Sequence, residues 1–253
     1  MISTISPLKL RRAFTLIELL VVITIIGILA ALIMAAISKV REQARKTEAR
    51  RQIDALVNAI TEYHSKVGTY PVSDNVMNAA KAGQGDFTYG GSLLDGVLGG
   101  PGSWSSNNSE VIAILLDREK YPNTGAPTVN FGHVKNSRRY NYLTDVEMVS
   151  DVNTPGVGPD LVYRDPWGNP YIISLDLNYD GKCRDALYER SGVSQQLNAS
   201  GFNGLFNSSS SSGATDDFQY SGGVMVWSLG PDKKTDAGPA NTSLNRDNIL
   251  SWQ

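Results

Sequence analysis

The chain has 253 residues and a formal net charge of −2 at pH 7, so its composition indicates neither a nucleic-acid partner nor an anionic-lipid partner. Its single cysteine, Cys183, excludes an internal disulfide and leaves two alternatives, an inert side chain or an intermolecular bond. Without the apolar N-terminal part, about 185 residues remain, which is enough for one soluble domain.

The first predicted element is the apolar stretch from Arg11 to Ile37. It opens with a basic pair, and from Leu19 to Ser38 it has no charged residue. About 20 such residues are the length that a helix needs to cross the hydrocarbon core of a bilayer. Glu18 is the exception near its start, and a carboxylate there either lies at the headgroups or needs a partner. The stretch therefore predicts a membrane-inserted helix.

The segment before this stretch is basic. Residues 1–13 carry Lys9, Arg11 and Arg12 and no acidic residue. Positively charged flanks of a membrane helix stay in the cytoplasm. We therefore expect a single-pass inner-membrane protein with a cytoplasmic N-terminus and a C-terminal domain that faces the periplasm or the cell surface.

The start of the stretch, Ala13-Phe-Thr-Leu-Ile-Glu-Leu-Leu-Val-Val22, resembles the class III signal of type IV pilins and pseudopilins. The resemblance implies that a prepilin peptidase cuts between Ala13 and Phe14 and methylates the new amino terminus, although Ala13 stands where the family usually has Gly. It also implies that Glu18 directs filament assembly by pairing with the Phe14 amine of a neighbouring subunit. Removing one partner of such a buried pair costs about 3–5 kcal/mol.

The helical pattern continues beyond the membrane stretch. Ser38 to Val67 contains no Pro or Gly, and Gly68 and Pro71 then form a typical helix end. Apolar residues recur there at steps of three and four, namely Ile53, Leu56, Val57, Ile60, Tyr63 and Val67. We predict one helix over residues 14–67, in the membrane or filament core to about residue 38 and packed on a globular domain, residues 68–253, thereafter. Gly68-Thr-Tyr-Pro71 resembles the segment that ends this helix in type II pseudopilins.

Basic residues between Lys39 and Arg51 allow two interpretations. They form a belt that faces solvent or headgroups, or they pair with acidic residues of a neighbouring subunit. Isolated exposed pairs contribute little to stability in either case.

The next part of the chain predicts short elements between long loops. We expect a short helix near Leu93, and a second over Glu110–Asp117 with Asn108 as its N-cap. Tyr171–Leu177 and Val224–Leu229 predict strands. The serine-rich segment from Arg190 to Gly213 predicts a flexible surface loop.

Asp165-Pro-Trp-Gly-Asn-Pro-Tyr171 is similar to a motif of the major pseudopilin of type II secretion. Its prolines and glycine predict a turn before the strand. We expect Trp167 and Tyr171 to pack the sheet against the long helix.

Two acidic loops predict calcium sites. Asp176, Asn178, Asp180 and Lys182 follow the first half of a calcium-binding loop, although Asn-Tyr-Asp-Gly also favours a hairpin turn. The segment from Ser228 to Trp252 resembles the C-terminal loop of the major pseudopilin, which implies a calcium site formed by Ser228, Leu229, Asp232 and Asp236. The alternative is a surface turn, because Lys233 and Lys234 would repel a cation.

The chain has no nucleophile, metalloprotease or phosphate-loop motif, so we do not expect an enzyme. The expected fold is α+β, of the type IV pilin kind, with an antiparallel sheet of three or four strands on the long helix. The resemblance implies a pseudopilin of a type II secretion filament. Its partners would be copies of itself, other pseudopilins, the prepilin peptidase and an inner-membrane assembly platform, and no nucleic acid. The alternative is a type IV pilin or minor pilin for adhesion, motility or DNA uptake.

Overall fold

The computed structural model describes residues 15–253, except for the side chains at positions 35, 36, 84 and 243. The predicted leader, residues 1–13, and Phe14 lie outside the described residues. The chain divides into two compact units, the first ending at Ala44 and the second comprising Arg45–Gln253. The division predicted from sequence, with a boundary at residue 68, stays a prediction.

The long N-terminal helix is confirmed as α1, Leu16–Val67. It ends where Gly68 adopts a φ of 85°, a left-handed conformation that favours glycine, and Gly68 N–H donates to the His64 carbonyl at 2.8 Å. The other helices are α2 (Asp74–Ala79), α3 (Ser92–Leu98), α4 (Ser109–Leu115) and α5 (Ser191–Ser194). A π turn occupies Ala80–Gln84, and 3₁₀ turns occupy Ser103–Ser105, Phe131–His133, Phe202–Gly204 and Ser243–Asn245.

The first unit contains the apolar part of α1. Its large apolar side chains are all substantially exposed, from 81% at Leu16 to 41% at Ile37. By length and composition this helix can cross a membrane. A helix that is apolar on all sides requires lipid or other helices around it.

The second unit is built on one face of α1. Ile53, Leu56, Ile60 and Tyr63 are buried, as the apolar spacing predicts, and Val57 is half-buried. Val67 differs, since it is 37% exposed. The helix ends at this residue and the chain turns away at Gly68, so the last position of the stripe is left uncovered.

The main sheet has four antiparallel strands in the order β1-β4-β9-β10. In chain order the strands are β1 (Phe87–Tyr89), β2 (Gly156–Val157), β3 (Tyr163–Arg164), β4 (Ile172–Leu175), β5 (Gln195–Leu197), β6 (Ser200–Gly201), β7 (Phe206–Asn207), β8 (Phe218–Gln219), β9 (Val224–Ser228) and β10 (Ile249–Leu250). β2 pairs with β3, and β5 to β8 form a second four-stranded sheet. The predicted strands within Tyr171–Leu177 and Val224–Leu229 are thus confirmed as β4 and β9.

Both faces of the main sheet are buried. Alternate residues such as Ile173 and Val226 belong to the core that contains the α1 face, whereas Ile172 and Trp227 belong to a second core on the opposite side. This alternation follows from the two-residue period of a strand. The second core is formed by residues from the middle and end of the chain, including Leu187, Tyr188, Phe218 and Trp252.

Two local predictions differ from the structure. Asn108 precedes α4, but its side chain does not cap that helix; its Nδ2 donates to the carbonyls of Tyr163 at 2.9 Å and Tyr171 at 2.8 Å. Arg190–Gly213 is not a featureless loop, because it contains α5 and β5 to β7. Val193 and Leu205 are buried in the second core and hold the segment in place, whereas Leu197 is exposed.

Candidate assembly site and metal loops

Glu18 closes the N-terminus of α1 together with Thr15. Glu18 Oε2 accepts hydrogen bonds from Thr15 N–H at 2.8 Å and from the Thr15 hydroxyl at 2.7 Å. In return, Glu18 N–H donates to Thr15 Oγ1 at 3.3 Å. This reciprocal arrangement is a capping box, and it holds the carboxylate at the start of the helix.

The role of Thr15 as the capping partner of Glu18 was not predicted, although the Thr-x-x-Glu spacing is typical of a capping box. The predicted cleavage site, Ala13 and Phe14, lies outside the described residues. The pairing of Glu18 with the amine of another subunit therefore stays a prediction.

The basic segment of α1 has partners within the same chain. Arg51 donates to Glu48 at 2.7 Å and also pairs with Asp145. All three side chains are substantially exposed. Such exposed pairs contribute little to stability, and pairing of the basic residues with a neighbouring subunit stays an open alternative.

A buried carboxylate joins the two C-terminal motifs. Asp165 is fully buried; its Oδ1 accepts from Trp167 N–H at 2.9 Å and from Asn169 N–H at 2.8 Å. Its Oδ2 accepts from Asn169 Nδ2 at 2.9 Å and from the Ser228 hydroxyl at 2.6 Å. Asn169 Nδ2 also donates to the Gly230 carbonyl at 3.1 Å. Burial raises the pKa of Asp165, and these donors compensate for the cost of burying the charge.

Trp167 and Tyr171 are placed as the sequence predicts. Both are buried in the core that contains the α1 face. The Tyr171 hydroxyl donates to Gln52 Oε1 of α1 at 2.6 Å. The turn therefore fastens the start of β4 to the long helix.

The side chains of the predicted calcium ligands in the C-terminal loop make hydrogen bonds within the chain. Ser228 donates its hydroxyl proton to Asp165, as described above. Asp232 Oδ1 accepts from Lys234 N–H at 2.8 Å, and Asp236 Oδ1 accepts from Gly238 N–H at 3.0 Å. Leu229 is fully buried.

The other acidic loop is likewise satisfied by its own backbone. Asp176 Oδ2 accepts from Gly181 N–H at 2.9 Å, and Asp180 Oδ1 accepts from Lys182 N–H at 2.9 Å. Asn178 Oδ1 accepts from Asp180 N–H at 3.0 Å. The hairpin alternative is wrong, because β4 pairs with β1 and β9 rather than with the segment that follows this loop.

Within residues 15–253, no group of three or more His, Cys, Asp or Glu side chains could hold a metal ion. In both loops carboxylate oxygens accept hydrogen bonds from backbone N–H groups. Calcium binding stays a prediction.

Cys183 is fully buried in the second core. Burial raises the pKa of its thiol well above the ordinary value, which keeps it protonated. These observations favour an inert side chain over an intermolecular disulfide.

The prokaryotic N-terminal methylation motif matches residues 8–34. A fimbrial protein of Neisseria meningitidis serogroup B is 31% identical over 104 residues, which cover 40% of this chain and 61% of the relative. A type IV major pilin protein of Neisseria gonorrhoeae is 33% identical over 91 residues, 35% of this chain and 42% of the relative. The type II secretion system core protein G of Escherichia coli K12 is 41% identical over 64 residues, 25% of this chain and 44% of the relative.

The chain spans less than two thirds of the length of these curated relatives. No solved structure matches it significantly. The resemblance to type IV pilins and pseudopilins is nevertheless confirmed by the motif and by these relatives. Proteins of this family are structural subunits that assemble into filaments, and not enzymes, which agrees with the expectation from the sequence.

Proposed function

We propose that this type IV pilin-like protein is a pseudopilin, a structural subunit of a type II secretion filament that drives protein export. Two features support the secretion role. First, the Asp165–Tyr171 motif and the Ser228–Trp252 segment both resemble the major pseudopilin, and hydrogen bonds of Asp165 with Ser228 and of Asn169 with Gly230 join them. Second, protein G, the relative with 41% identity, carries a type II secretion name.

In this proposal the subunit is anchored in the inner membrane through α1, with its globular part in the periplasm. A prepilin peptidase removes residues 1–13 and methylates Phe14, and an inner-membrane platform then transfers the subunit into the filament. When the subunit moves from the lipid into a bundle of similar helices, the apolar side chains of α1 stay out of water. Exposing one fully buried large side chain to water would cost about 1.5–3 kcal/mol.

Glu18 gives this assembly its register. A subunit docked in the wrong register leaves the carboxylate without the amine of its neighbour in an apolar core. That penalty is of the order of 3–5 kcal/mol. The correct register is therefore the one that brings Phe14 of one copy to Glu18 of the next.

The observation that carries the proposal is the methylation motif at the start of an exposed apolar helix with Glu18 at its N-terminus. The decisive test is the intact mass, with N-terminal fragmentation, of the protein from native membranes. We expect a chain that starts at N-methyl-Phe14. A chain that still starts at Met1 would contradict processing and remove the partner amine of Glu18.

A type IV pilin for adhesion, motility or DNA uptake is the second candidate. One observation supports it: alignments to a fimbrial protein and a major pilin cover more of this chain than the alignment to protein G. A deletion strain separates the two functions. Loss of exported proteins from the medium with intact surface pili indicates secretion, whereas loss of surface pili with normal export indicates a pilin.

A further inference from the structure

A cavity of about 380 Å³ lies between the C-terminal part of α1 and the start of β9. The side chains that line it include Val57, Thr61, His64, Tyr70, Tyr220 and Ser251. Among the described residues, no Asp, Glu, Lys or Arg contributes to this lining. The cavity therefore suits an uncharged ligand, and its volume falls in the range of small-molecule sites.

Aromatic rings form much of the wall. His64 and Tyr70 are stacked with ring centroids 4.3 Å apart and planes 6° apart. Tyr220 is half-buried and lines the cavity from the sheet side. Aromatic faces of this kind pack against flat apolar surfaces and carry a polar group at one end.

Two glycines allow the tyrosines to occupy these positions. A Cβ at Gly223 would lie 1.9 Å from the Tyr70 hydroxyl, and a Cβ at Gly222 would lie 2.5 Å from the Tyr220 ring. Both approaches are too close for any other residue. The pair Gly222-Gly223 thus shapes the wall of the cavity.

The cavity also offers polar groups to a ligand. The Ser251 hydroxyl oxygen accepts a hydrogen bond from Val226 N–H at 3.0 Å, so within the described structure its own proton remains available. The Thr61 hydroxyl donates to the Val57 carbonyl at 2.7 Å, which leaves its oxygen as an acceptor. The wall therefore combines apolar rings with neutral donors and acceptors.

A second cavity of about 380 Å³ adjoins the first and shares Ser251 with it. It is lined by Arg50, Asp54, Leu250, Ser251 and Gln253. The α1 residues of the two cavities, 50, 54, 57, 61 and 64, are spaced by four and three and so lie on one face of the helix. Together the cavities form one groove along α1, defined here as the α1 groove.

We propose that the α1 groove binds a neutral carbohydrate, with one sugar ring in the aromatic cavity and the adjoining sugar beside Arg50, Asp54 and Gln253. A hexose has an apolar ring face that can pack on the half-buried rings of Tyr220 and His64, and hydroxyl groups that can bond to Ser251 and Thr61. In the second cavity the guanidinium of Arg50, the carboxylate of Asp54 and the amide of Gln253 each have two polar atoms that can bind neighbouring hydroxyl groups of a sugar. The lining of the first cavity contains no Asp, Glu, Lys or Arg, and the second cavity pairs Arg50 with the opposite charge of Asp54, so the groove favours a neutral ligand.

Saturation-transfer NMR and calorimetry with the purified full-length chain test this proposal. The probes are glucose, galactose, N-acetylglucosamine and lactose, with sialic acid as the charged comparison. The detergent must have no sugar headgroup, because an alkyl maltoside would compete for the groove. We expect saturable binding of at least one neutral sugar, and tighter binding of the disaccharide than of either of its monosaccharides.

Two variants locate the site. Tyr220→Ala removes a ring from the wall, and we expect it to weaken binding by about tenfold or more. Thr61→Arg introduces a long side chain at an exposed helix position, where folding is tolerant, and should abolish binding. Phe131→Ala is the matched control, since Phe131 is 52% exposed and lines neither cavity.

The proposal is overturned if none of the neutral sugars binds, if sialic acid binds as well as they do, or if Thr61→Arg leaves binding unchanged. The measurement uses the isolated subunit, so its outcome is independent of filament assembly and of the proposed secretion role.

Discussion

At the scale of single residues, this chain uses carboxylates in two opposite environments. Glu18 lies on an exposed apolar helix, where its partners are the N–H and hydroxyl of Thr15. Asp165 is fully buried and accepts four hydrogen bonds from two segments of the globular unit. In the proposed assembly Glu18 exchanges Thr15 for the amine of a neighbouring subunit, whereas the hydrogen bonds of Asp165 stabilise the fold of a single chain.

Replacing Glu18 tests its role in assembly. We expect Glu18→Ala and Glu18→Gln to abolish filaments, because each removes the charge that pairs with the amine of a neighbour, at about 3–5 kcal/mol per contact. The measurement is the amount of subunit in sheared filaments relative to the amount in membranes. Glu62→Ala is the matched control, since Glu62 pairs with Lys66 on the same helix. Wild-type filament levels in Glu18→Ala would refute the assembly role.

Replacing Asp165 tests the junction between the two motifs. Asp165→Asn keeps the size of the side chain but removes its charge. The new amide N–H group would face the N–H and O–H donors that bind the carboxylate in the unmodified chain. We expect the free energy of unfolding to fall by about 2–3 kcal/mol, the usual worth of hydrogen bonds to a charged group. Urea unfolding provides the measurement. Asp232→Asn, at an exposed position, should change stability by less than about 0.5 kcal/mol; an equal loss in both variants would argue against the junction.

Glu189 makes stability depend on pH. Burial, followed by repulsion from Asp185, raises the pKa of Glu189 from 4.5 to about 7. Between these values the folded state holds a proton that the unfolded state has released, so stability falls as the pH rises from about 4.5 to 7. The fall is about 3 kcal/mol at about 1.36 kcal/mol per pKa unit.

Unfolding of Glu189→Gln at several pH values provides the check, and we expect a flatter profile over this range. Asp74→Asn is the matched control, because the hydrogen bond from Lys135 lowers the pKa of Asp74, its contribution has the opposite sign, and Asp74 does not act on Glu189. A slope in Glu189→Gln equal to that of the unmodified chain would assign the pH dependence to another group.

At the scale of elements, the two acidic loops differ in how readily they could bind calcium. Asp232 is exposed, whereas Asp176 is buried with both oxygens accepting backbone N–H groups. A cation must replace existing hydrogen bonds in either loop. The exposed loop loses less when it rearranges, because water can satisfy the N–H groups that it releases.

We therefore propose that calcium, if bound, acts through Asp232 and Asp236. Saturating calcium should raise the melting temperature relative to EGTA, since a ligand at about 100 times its Kd contributes about 2.7 kcal/mol. Asp232→Asn with Asp236→Asn should remove this shift, whereas Asp176→Asn with Asp180→Asn should preserve it. The reverse pattern would assign the site to the other loop, and no shift in the unmodified chain would exclude both.

At the scale of the whole molecule, sequence reasoning succeeded where a signal was local. The three- and four-residue spacing with Gly68 at the end predicted α1, and runs of β-branched and aromatic residues predicted β4 and β9. It missed β1 and β10, because two or three residues carry too little pattern. The bond from Ser228 to Asp165 joins residues 63 positions apart, and no local pattern encodes such a pairing.

The order of strands in the main sheet also determines when the protein can fold. Phe87 lies opposite Leu175, Leu175 lies opposite Val224, and Leu250, near the end of the chain, lies opposite Trp227. Every neighbour in the sheet is therefore distant in sequence, and proteins dominated by such pairings fold slowly, in about milliseconds to seconds. The globular unit cannot complete its sheet until Leu250 is available to pair with β9. Until then its exposed strand edges are prone to aggregation.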